Sequence, residues 1–83
     1  MSLDERFEAA TKASRNLSNL SNENLLQMYA LFKQANKGDA SGDRPSAFDF
    51  KGRAKFDAWA NLKGTSQENA KQQYVDLIES LGK

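Results

Sequence analysis

The chain has 83 residues, with twelve basic and eleven acidic side chains, a net charge of +1, and neither cysteine nor histidine. A chain of this length forms one small domain with a modest core. Without cysteine there are no disulfides or thiolate sites, and without histidine the commonest acid, base and metal ligand at neutral pH is missing. The near-balanced charge also argues against a dedicated nucleic-acid-binding domain, which is usually strongly basic.

Composition favours helices. The β-branched residues number only four, whereas there are eleven alanines and nine leucines. Four of the five glycines and the only proline fall between Gly38 and Gly64. These features predict an all-α domain with one long internal loop. No apolar run is long enough to span a membrane, and the first residues lack the apolar core of a secretory signal. We therefore expect a cytoplasmic protein without stable membrane insertion.

The first two helices have clear start signals. Ser2 with Glu5 three residues later predicts a capping box and a helix over about 3–15, anchored in the core by Phe7. Ser21 is the predicted N-cap of a second helix that ends near Lys37, with Gly38 in a left-handed cap. The apolar face predicted for this helix comprises Leu25, Leu26, Met28, Tyr29, Phe32 and Ala35.

The segment from Gly38 to Phe50 is rich in turn-forming residues and is long for a connection between helices. Such a loop is either functional or crosses the bundle so that neighbouring helices run parallel. Ala47, Phe48 and Phe50 are predicted to attach it to the core.

The second half of the chain predicts two more helices. One runs over about 51–63 and ends at Gly64, with Trp59 on its core stripe. Thr65 and Glu68 predict a capping box that opens the last helix. The buried stripe predicted for that helix comprises Ala70, Tyr74, Leu77, Ile78 and Leu81.

Aromatic and basic residues are interleaved in the middle of the chain. Tyr29 and Lys33 form an i,i+4 pair, and Lys55 lies one turn before Trp59. Residues 33–63 carry seven basic and four acidic side chains. Aromatic rings can stack on a base and lysines can meet phosphate, although a core of rings with a solvated lysine rim would give the same spacing. No metal-ligand pattern or activated nucleophile accompanies them, so we expect no enzyme activity.

The sequence resembles the acyl-CoA-binding protein family over nearly its whole length. The resemblance is carried by the segments 29–35 (YALFKQA), 38–39 (GD), 44–45 (RP), 49–59 (DFKGRAKFDAW) and 62–66 (LKGTS), with 7–10 (FEAA) in the opening helix and Tyr74 in the last. These motifs are long, ordered and spaced as in the family.

The resemblance implies an up-down-down-up four-helix bundle, with the long loop between helices 2 and 3, and a single acyl-CoA-binding domain over 1–83. It implies non-covalent binding of long-chain fatty acyl-CoA, without another cofactor or a metal, by a monomeric intracellular pool former and carrier. Transient contact with enzymes that produce or consume acyl-CoA would follow, whereas nucleic acid would not bind. The positions carried over from the family are Arg15, Leu25, Leu26, Tyr29, Phe32, Lys33, Lys51, Lys55 and Tyr74.

The resemblance also implies specific roles for six positions of this set. Tyr29, Phe32 and Lys33 would meet the CoA nucleotide, Lys55 its phosphates, and Leu25 and Leu26 the acyl chain. Three departures stand out: Phe32 replaces a common tyrosine, Phe56 a frequent tryptophan, and the 16–21 turn is short and lacks the usual Lys and Pro. The alternative function is a small helical protein-interaction module without a small-molecule ligand.

Overall fold

Four α-helices make up the fold in the computed structural model, which describes residues 1–82. They are α1 (Leu3–Ser14), α2 (Asn22–Lys37), α3 (Phe50–Ala60) and α4 (Gln67–Leu81), and the described residues contain no strand. Helix α4 packs against α1 on one side and α2 on the other, while α3 packs against α2 only. The helices therefore follow the spatial order α1, α4, α2, α3, and the predicted all-α fold is confirmed.

The direction of each helix follows from contacts between helix ends. Asp4 near the start of α1 and Lys71 near the start of α4 form an ion pair, so α1 and α4 run parallel. Gln34 near the end of α2 bonds to the carbonyl of Thr65 just before α4, so those two helices are antiparallel. The first turns of α2 and α3 line one cleft, so this pair is parallel. The predicted up-down-down-up topology is confirmed.

Helix starts follow the predicted capping chemistry in two of three cases. Ser2 Oγ accepts from the backbone N–H of Glu5, whose carboxylate accepts from Ser2 N–H. Ser21 caps α2 by accepting from Asn24 N–H. The capping box predicted for Thr65 and Glu68 is wrong by one residue. Ser66 caps α4 instead, through Asn69 N–H, because Thr65 is held in the preceding turn by a backbone bond to Leu62.

Helix ends are less well predicted. Gly38 has the expected positive φ, at 81°, but its ψ of −150° lies outside the left-handed helical region and in one that glycine alone adopts readily. Helix α3 ends at Ala60 rather than Lys63, and a series of turns follows to Gly64, whose φ is 89°. Its start moves one residue earlier, to Phe50, because Asp49 accepts from Gly52 N–H as the N-cap.

The core lies between α1, α2 and α4. Its buried members are Phe7, Ala10, Leu31, Ala35, Ala70, Tyr74, Val75 and Ile78. The apolar face predicted for α2 is partly wrong, since Leu25 is 48% exposed and Phe32 41%, whereas Ala30, Leu31 and Gln34 are buried. Because α4 packs along one side of α2 and α3 along another, residues just outside the predicted stripe are covered.

The loop between α2 and α3 is not attached through its aromatic residues. Ala47, Phe48 and Phe50, which the sequence predicted to hold it to the core, are all exposed, Phe48 at 91% and Phe50 at 79%. Arg44 instead forms two hydrogen bonds to the carboxylate of Asp57 on α3, at 2.9 and 2.6 Å. Polar contacts to α3 fix this loop, and they leave the phenylalanines facing outward.

Candidate ligand-binding site

Two lysines flank one tyrosine where α2 and α3 run side by side. Lys33 Nζ lies 5.8 Å from the centroid of the Tyr29 ring, and Lys55 Nζ, from α3, lies 5.4 Å from the same centroid. Lys33 Nζ also lies 5.4 Å from the ring of Trp59. Distances below about 6 Å are those of cation–π contacts, which orient an ammonium group without neutralising it. The pairing of Tyr29 with both lysines joins residues from two helices.

Within residues 1–82 none of Lys33, Lys51 and Lys55 takes part in a salt bridge. By contrast, Lys71 pairs with Asp4 at 2.7 Å on the opposite side of the bundle. Unpaired ammonium groups that converge on one place create a positive potential for a polyanion such as a phosphate ester.

Next to the lysines lies a cleft of about 470 Å³ between the first turns of α2 and α3. Its lining residues are Asn22, Leu25, Leu26, Phe50, Lys51, Ala54 and Lys55. The volume is within the range of about 300–1,000 Å³ typical of small-molecule sites. Apolar side chains form most of the lining and two lysines contribute the basic part, so the arrangement suits a ligand with an anionic end and an apolar end.

A second aromatic group joins three helices. The ring centroids of Phe7, Phe32 and Tyr74 lie 5.2–6.1 Å apart. Tyr74 is only 4% exposed and belongs to the core, while Phe32 packs against it and presents the remainder of its ring outward. The group places Phe32 and Tyr74 together, one turn along α2 from Tyr29.

A polar clamp fixes the end of α2 that carries Lys33. Gln34 is fully buried, and its Nε2 donates to Asp39 Oδ1 at 2.9 Å and to the carbonyl of Thr65 at 2.7 Å. Gly64 N–H donates to the same Asp39 oxygen at 2.9 Å. The bond from Gly64, with that from Gln34 second, lowers the pKa of Asp39 below its ordinary value of 3.8. The clamp therefore joins α2 to the turn that precedes α4.

Trp59 adds a further bond at this end. Its indole Nε1 donates to the carbonyl of Gly38 at 2.8 Å, and its ring is buried, as the sequence predicted. The ammonium group of Lys33 lies over the same ring. Trp59 of α3 therefore contacts both Lys33 and the C-cap residue of α2. On the loop, the two bonds from Arg44 lower the pKa of Asp57 and hold the segment before α3.

The sequence itself matches the family described as acyl CoA binding protein, over residues 4–78. This chain belongs to the acyl-CoA-binding protein family. It is 51% identical over 83 residues to the "Acyl-CoA-binding protein homolog" of Manduca sexta, covering 98% of this chain and 92% of that protein. It is 45% identical over 76 residues to the "Acyl-CoA-binding protein" of Saccharomyces cerevisiae, covering 90% and 87% respectively.

Solved structures give the same result for the fold. The crystal structure of Oryza sativa acyl-CoA-binding protein 2 superposes with a TM-score of 0.93 at 37% identity, covering 96% of this chain and 90% of that one. The Moniliophthora perniciosa structure gives 0.88 at 36% identity, covering 98% and 80%. The family predicted from the motifs is thus confirmed.

The predicted site residues do not all come together. Tyr29, Lys33 and Lys55 converge, and Leu25, Leu26, Lys51 and Lys55 line the cleft. Phe32 and Tyr74 lie together in the aromatic group. Arg15 is the exposed C-cap of α1 and forms no salt bridge within residues 1–82.

Sequence reasoning missed several participants. Phe50 was predicted to hold the loop to the core but lines the cleft, beside Asn22 and Ala54. The positioning roles of Gln34 and Asp39 were also missed. The sequence contained a signal for Phe50. If α2 and α3 run parallel, their first turns lie side by side, and Phe50 is next to the predicted site residue Lys51, so it could have been placed at the cleft.

Proposed function

We propose that this protein binds one long-chain fatty acyl-CoA non-covalently and serves as a cytoplasmic buffer and carrier for it. The observation that carries the proposal is the junction of unpaired lysines around Tyr29 with the apolar cleft between α2 and α3. An acyl-CoA has the same division, since its nucleotide is polyanionic and its tail is a hydrocarbon. Membership of the family supports the same ligand.

The nucleotide would meet the basic and aromatic half of the site. Lys33 and Lys55 would donate to phosphate, and the exposed part of the Phe32 ring with Tyr29 would stack on the base. Each hydrogen bond to a charged group contributes about 1.5–3 kcal/mol, and a stacked base about 1–3 kcal/mol. Tyr74 would support this half through its contact with Phe32, while Arg15 and Lys51 would add positive charge near the ligand.

The acyl chain would bind in the cleft. Leu25 and Leu26 from α2 line the cleft together with Phe50 and Ala54 from α3, and Leu25 and Phe50 are exposed. Burial of hydrocarbon contributes about 0.8 kcal/mol per CH₂, so ten methylenes approach about 8 kcal/mol before the costs of association. Head and tail contributions are therefore comparable, and neither part alone should bind well.

We propose binding without turnover. The chain has neither histidine nor cysteine to activate or attack a thioester. Incubation with palmitoyl-CoA should leave the thioester intact, and thiol release in proportion to protein concentration would contradict this part of the proposal.

The test of the proposed function is calorimetric titration with palmitoyl-CoA, free CoA and palmitate in parallel. We expect one-to-one binding of the ester, and binding of each fragment weaker by at least about a hundredfold, since each fragment loses several kcal/mol of contacts. Equal affinity for free CoA and its ester would show that the cleft does not hold the chain. No binding of the ester would overturn the proposal altogether.

A further inference from the structure

Two large aromatic rings are exposed at the start of α3 without any role in the core. Phe48 is 91% exposed and Phe50 79%, and only Asp49, the N-cap of α3, separates them in sequence. Phe50 lines the cleft, whereas Phe48 does not. No other described phenylalanine approaches the exposure of these two, because Phe7 is buried, Phe56 is half-buried and Phe32 packs in the aromatic group. The loop therefore presents an apolar tip formed by Phe48 and Phe50, of which Phe50 also lines the cleft.

Basic residues lie close to this tip in the sequence. Between residues 44 and 55 the chain has four basic side chains and one acidic one. Arg44 is paired with Asp57, but Lys51, Arg53 and Lys55 form no salt bridge within residues 1–82. The carboxylate of Asp49 accepts from Gly52 N–H and is thus directed to the helix it caps. The same loop also contains Asp43 and Asp39, and Asp39 accepts hydrogen bonds from Gln34 and Gly64 in the clamp. Basic side chains therefore outnumber acidic ones in the stretch that contains the two phenylalanines.

We propose that Phe48, with Phe50 and the adjoining Lys51, Arg53 and Lys55, forms a surface that docks reversibly on anionic membranes. Exposed aromatic residues beside lysine and arginine characterise segments that lie in the membrane interface, where rings enter the boundary and cations meet anionic lipid. Lysine is depleted in the centre of protein–protein interfaces, so a protein partner fits this surface less well. None of the described helices is long and apolar enough to cross a bilayer.

This inference rests on the proposed function, because docking on a membrane would serve the transfer of acyl-CoA. A long-chain acyl thioester is an amphiphile that partitions into bilayers, so a carrier must take it from lipid or return it there. Docking by Phe48 would bring Phe50 and Lys51, which line the cleft, to the bilayer surface. The acyl chain could then pass between lipid and cleft with little exposure to water.

The experiment compares the full chain with Phe48→Ser and Phe48→Trp in flotation with vesicles of phosphatidylcholine, with and without phosphatidylserine. We expect binding to the anionic vesicles that decreases with salt, loss by at least about fivefold in Phe48→Ser, and retention in Phe48→Trp. The new tryptophan should also shift its emission to the blue when anionic vesicles are added. Lys12→Gln, on the outer face of α1, is the control for charge and should change nothing.

A second measurement separates docking from ligand binding. Phe48 lies outside the cleft lining, so calorimetry without vesicles should give Phe48→Ser the affinity of the unmodified chain for palmitoyl-CoA. Its rate of palmitoyl-CoA uptake from anionic vesicles should fall. Absence of vesicle binding by the unmodified chain, or equal binding by Phe48→Ser, would overturn the docking surface even if palmitoyl-CoA binds normally. Absence of palmitoyl-CoA binding in solution would instead refute the proposed function.

Discussion

Charged and apolar side chains are arranged differently on the α1–α4 side and the α2–α3 side of the bundle. Along α1 and α4 basic groups are paired, with Lys71 bound to Asp4 at 2.7 Å and Arg6 to Glu79 at 3.7 Å. Along α2 and α3 the lysines next to Tyr29 have no acidic partner in the described chain and lie over aromatic rings. Apolar residues follow the same division, because Val75 and Ile78 of α4 are buried while Leu25 and Phe50 are exposed.

This difference indicates a division of roles. The α1–α4 side satisfies its own groups, which stabilises the fold, whereas the α2–α3 side leaves positive charge and hydrocarbon available for another molecule. Except at Tyr74, which contacts Phe32, substitutions on the first side should lower stability with little direct effect on ligand affinity, and those on the second should do the reverse. The four predictions below test this separation.

The largest expected effect is on stability, for Ile78→Ala. Ile78 is buried in the core cluster, and truncation of a buried isoleucine to alanine costs about 2–5 kcal/mol. The measurement is urea unfolding followed by circular dichroism. Below the unfolding transition the variant should keep its affinity for palmitoyl-CoA within about twofold. A large loss of affinity with unchanged stability would show that α4 belongs to the binding side.

The second prediction concerns the unpaired lysines. Lys33→Ala and Lys55→Ala should each weaken palmitoyl-CoA binding more than about tenfold, because each removes charge-assisted hydrogen bonds to phosphate. Calorimetry measures the affinity and thermal unfolding the stability, which should change little. Lys12→Ala is the matched control, since Lys12 is equally a helical lysine but pairs with Glu8 at 3.5 Å. If a site variant only lowers the melting temperature, that lysine is structural.

A smaller effect is expected from Phe32→Tyr. Phe32 is partly exposed between Tyr74 and the outside, so an added hydroxyl can reach a bound nucleotide without being buried. One additional hydrogen bond contributes about 0.5–1.5 kcal/mol, which corresponds to a gain in affinity of about two- to twelvefold. Calorimetry with palmitoyl-CoA and with free CoA should show the same gain for both, because the hydroxyl meets the head group. A gain confined to the ester would place Phe32 next to the acyl chain.

The smallest effect concerns Asp39 and pH. Its folded-state pKa is lowered by the bonds from Gly64 and Gln34, so its contribution to stability is present above the unfolded value near 3.8 and is lost as pH falls through the folded value. Asp39→Asn keeps the accepting oxygen but removes the charge. We expect the urea midpoints of the two proteins to differ at neutral pH and to converge below pH 3.8. A constant difference across this range would show that the charge of Asp39 does not stabilise the clamp.

Local chemistry made several features predictable. The capping box of Ser2 and Glu5, the N-cap of Ser21 and the positive φ of Gly38 depend on residues within one helical turn, so the sequence alone identifies them. The pairing of Tyr29 with Lys33 follows in the same way from an i,i+4 spacing. The family was also evident, since its motifs are contiguous stretches of the chain.

Features that depend on two helices were less predictable. Lys55 reaches the Tyr29 ring, and Phe50 faces Leu25 and Leu26, only because α3 runs parallel to α2. The sequence offered a crossing loop as one of two explanations for the long connection. It placed Phe48 and Phe50 in the core because large apolar residues are usually buried, but the Arg44–Asp57 pair fixes the loop with both rings outward.

By itself, then, the amino-acid sequence determined four helices, the N-caps of the first two, the family and the chemical types in the site. Each of these depends on residues within a few positions of one another or on the order of motifs. The tertiary structure alone decided which lysines form no salt bridge within residues 1–82, which phenylalanines remain exposed and which oxygens accept from Gln34. Those outcomes depend on how the helices pack, because burial and charge pairing are set by neighbours far away along the chain.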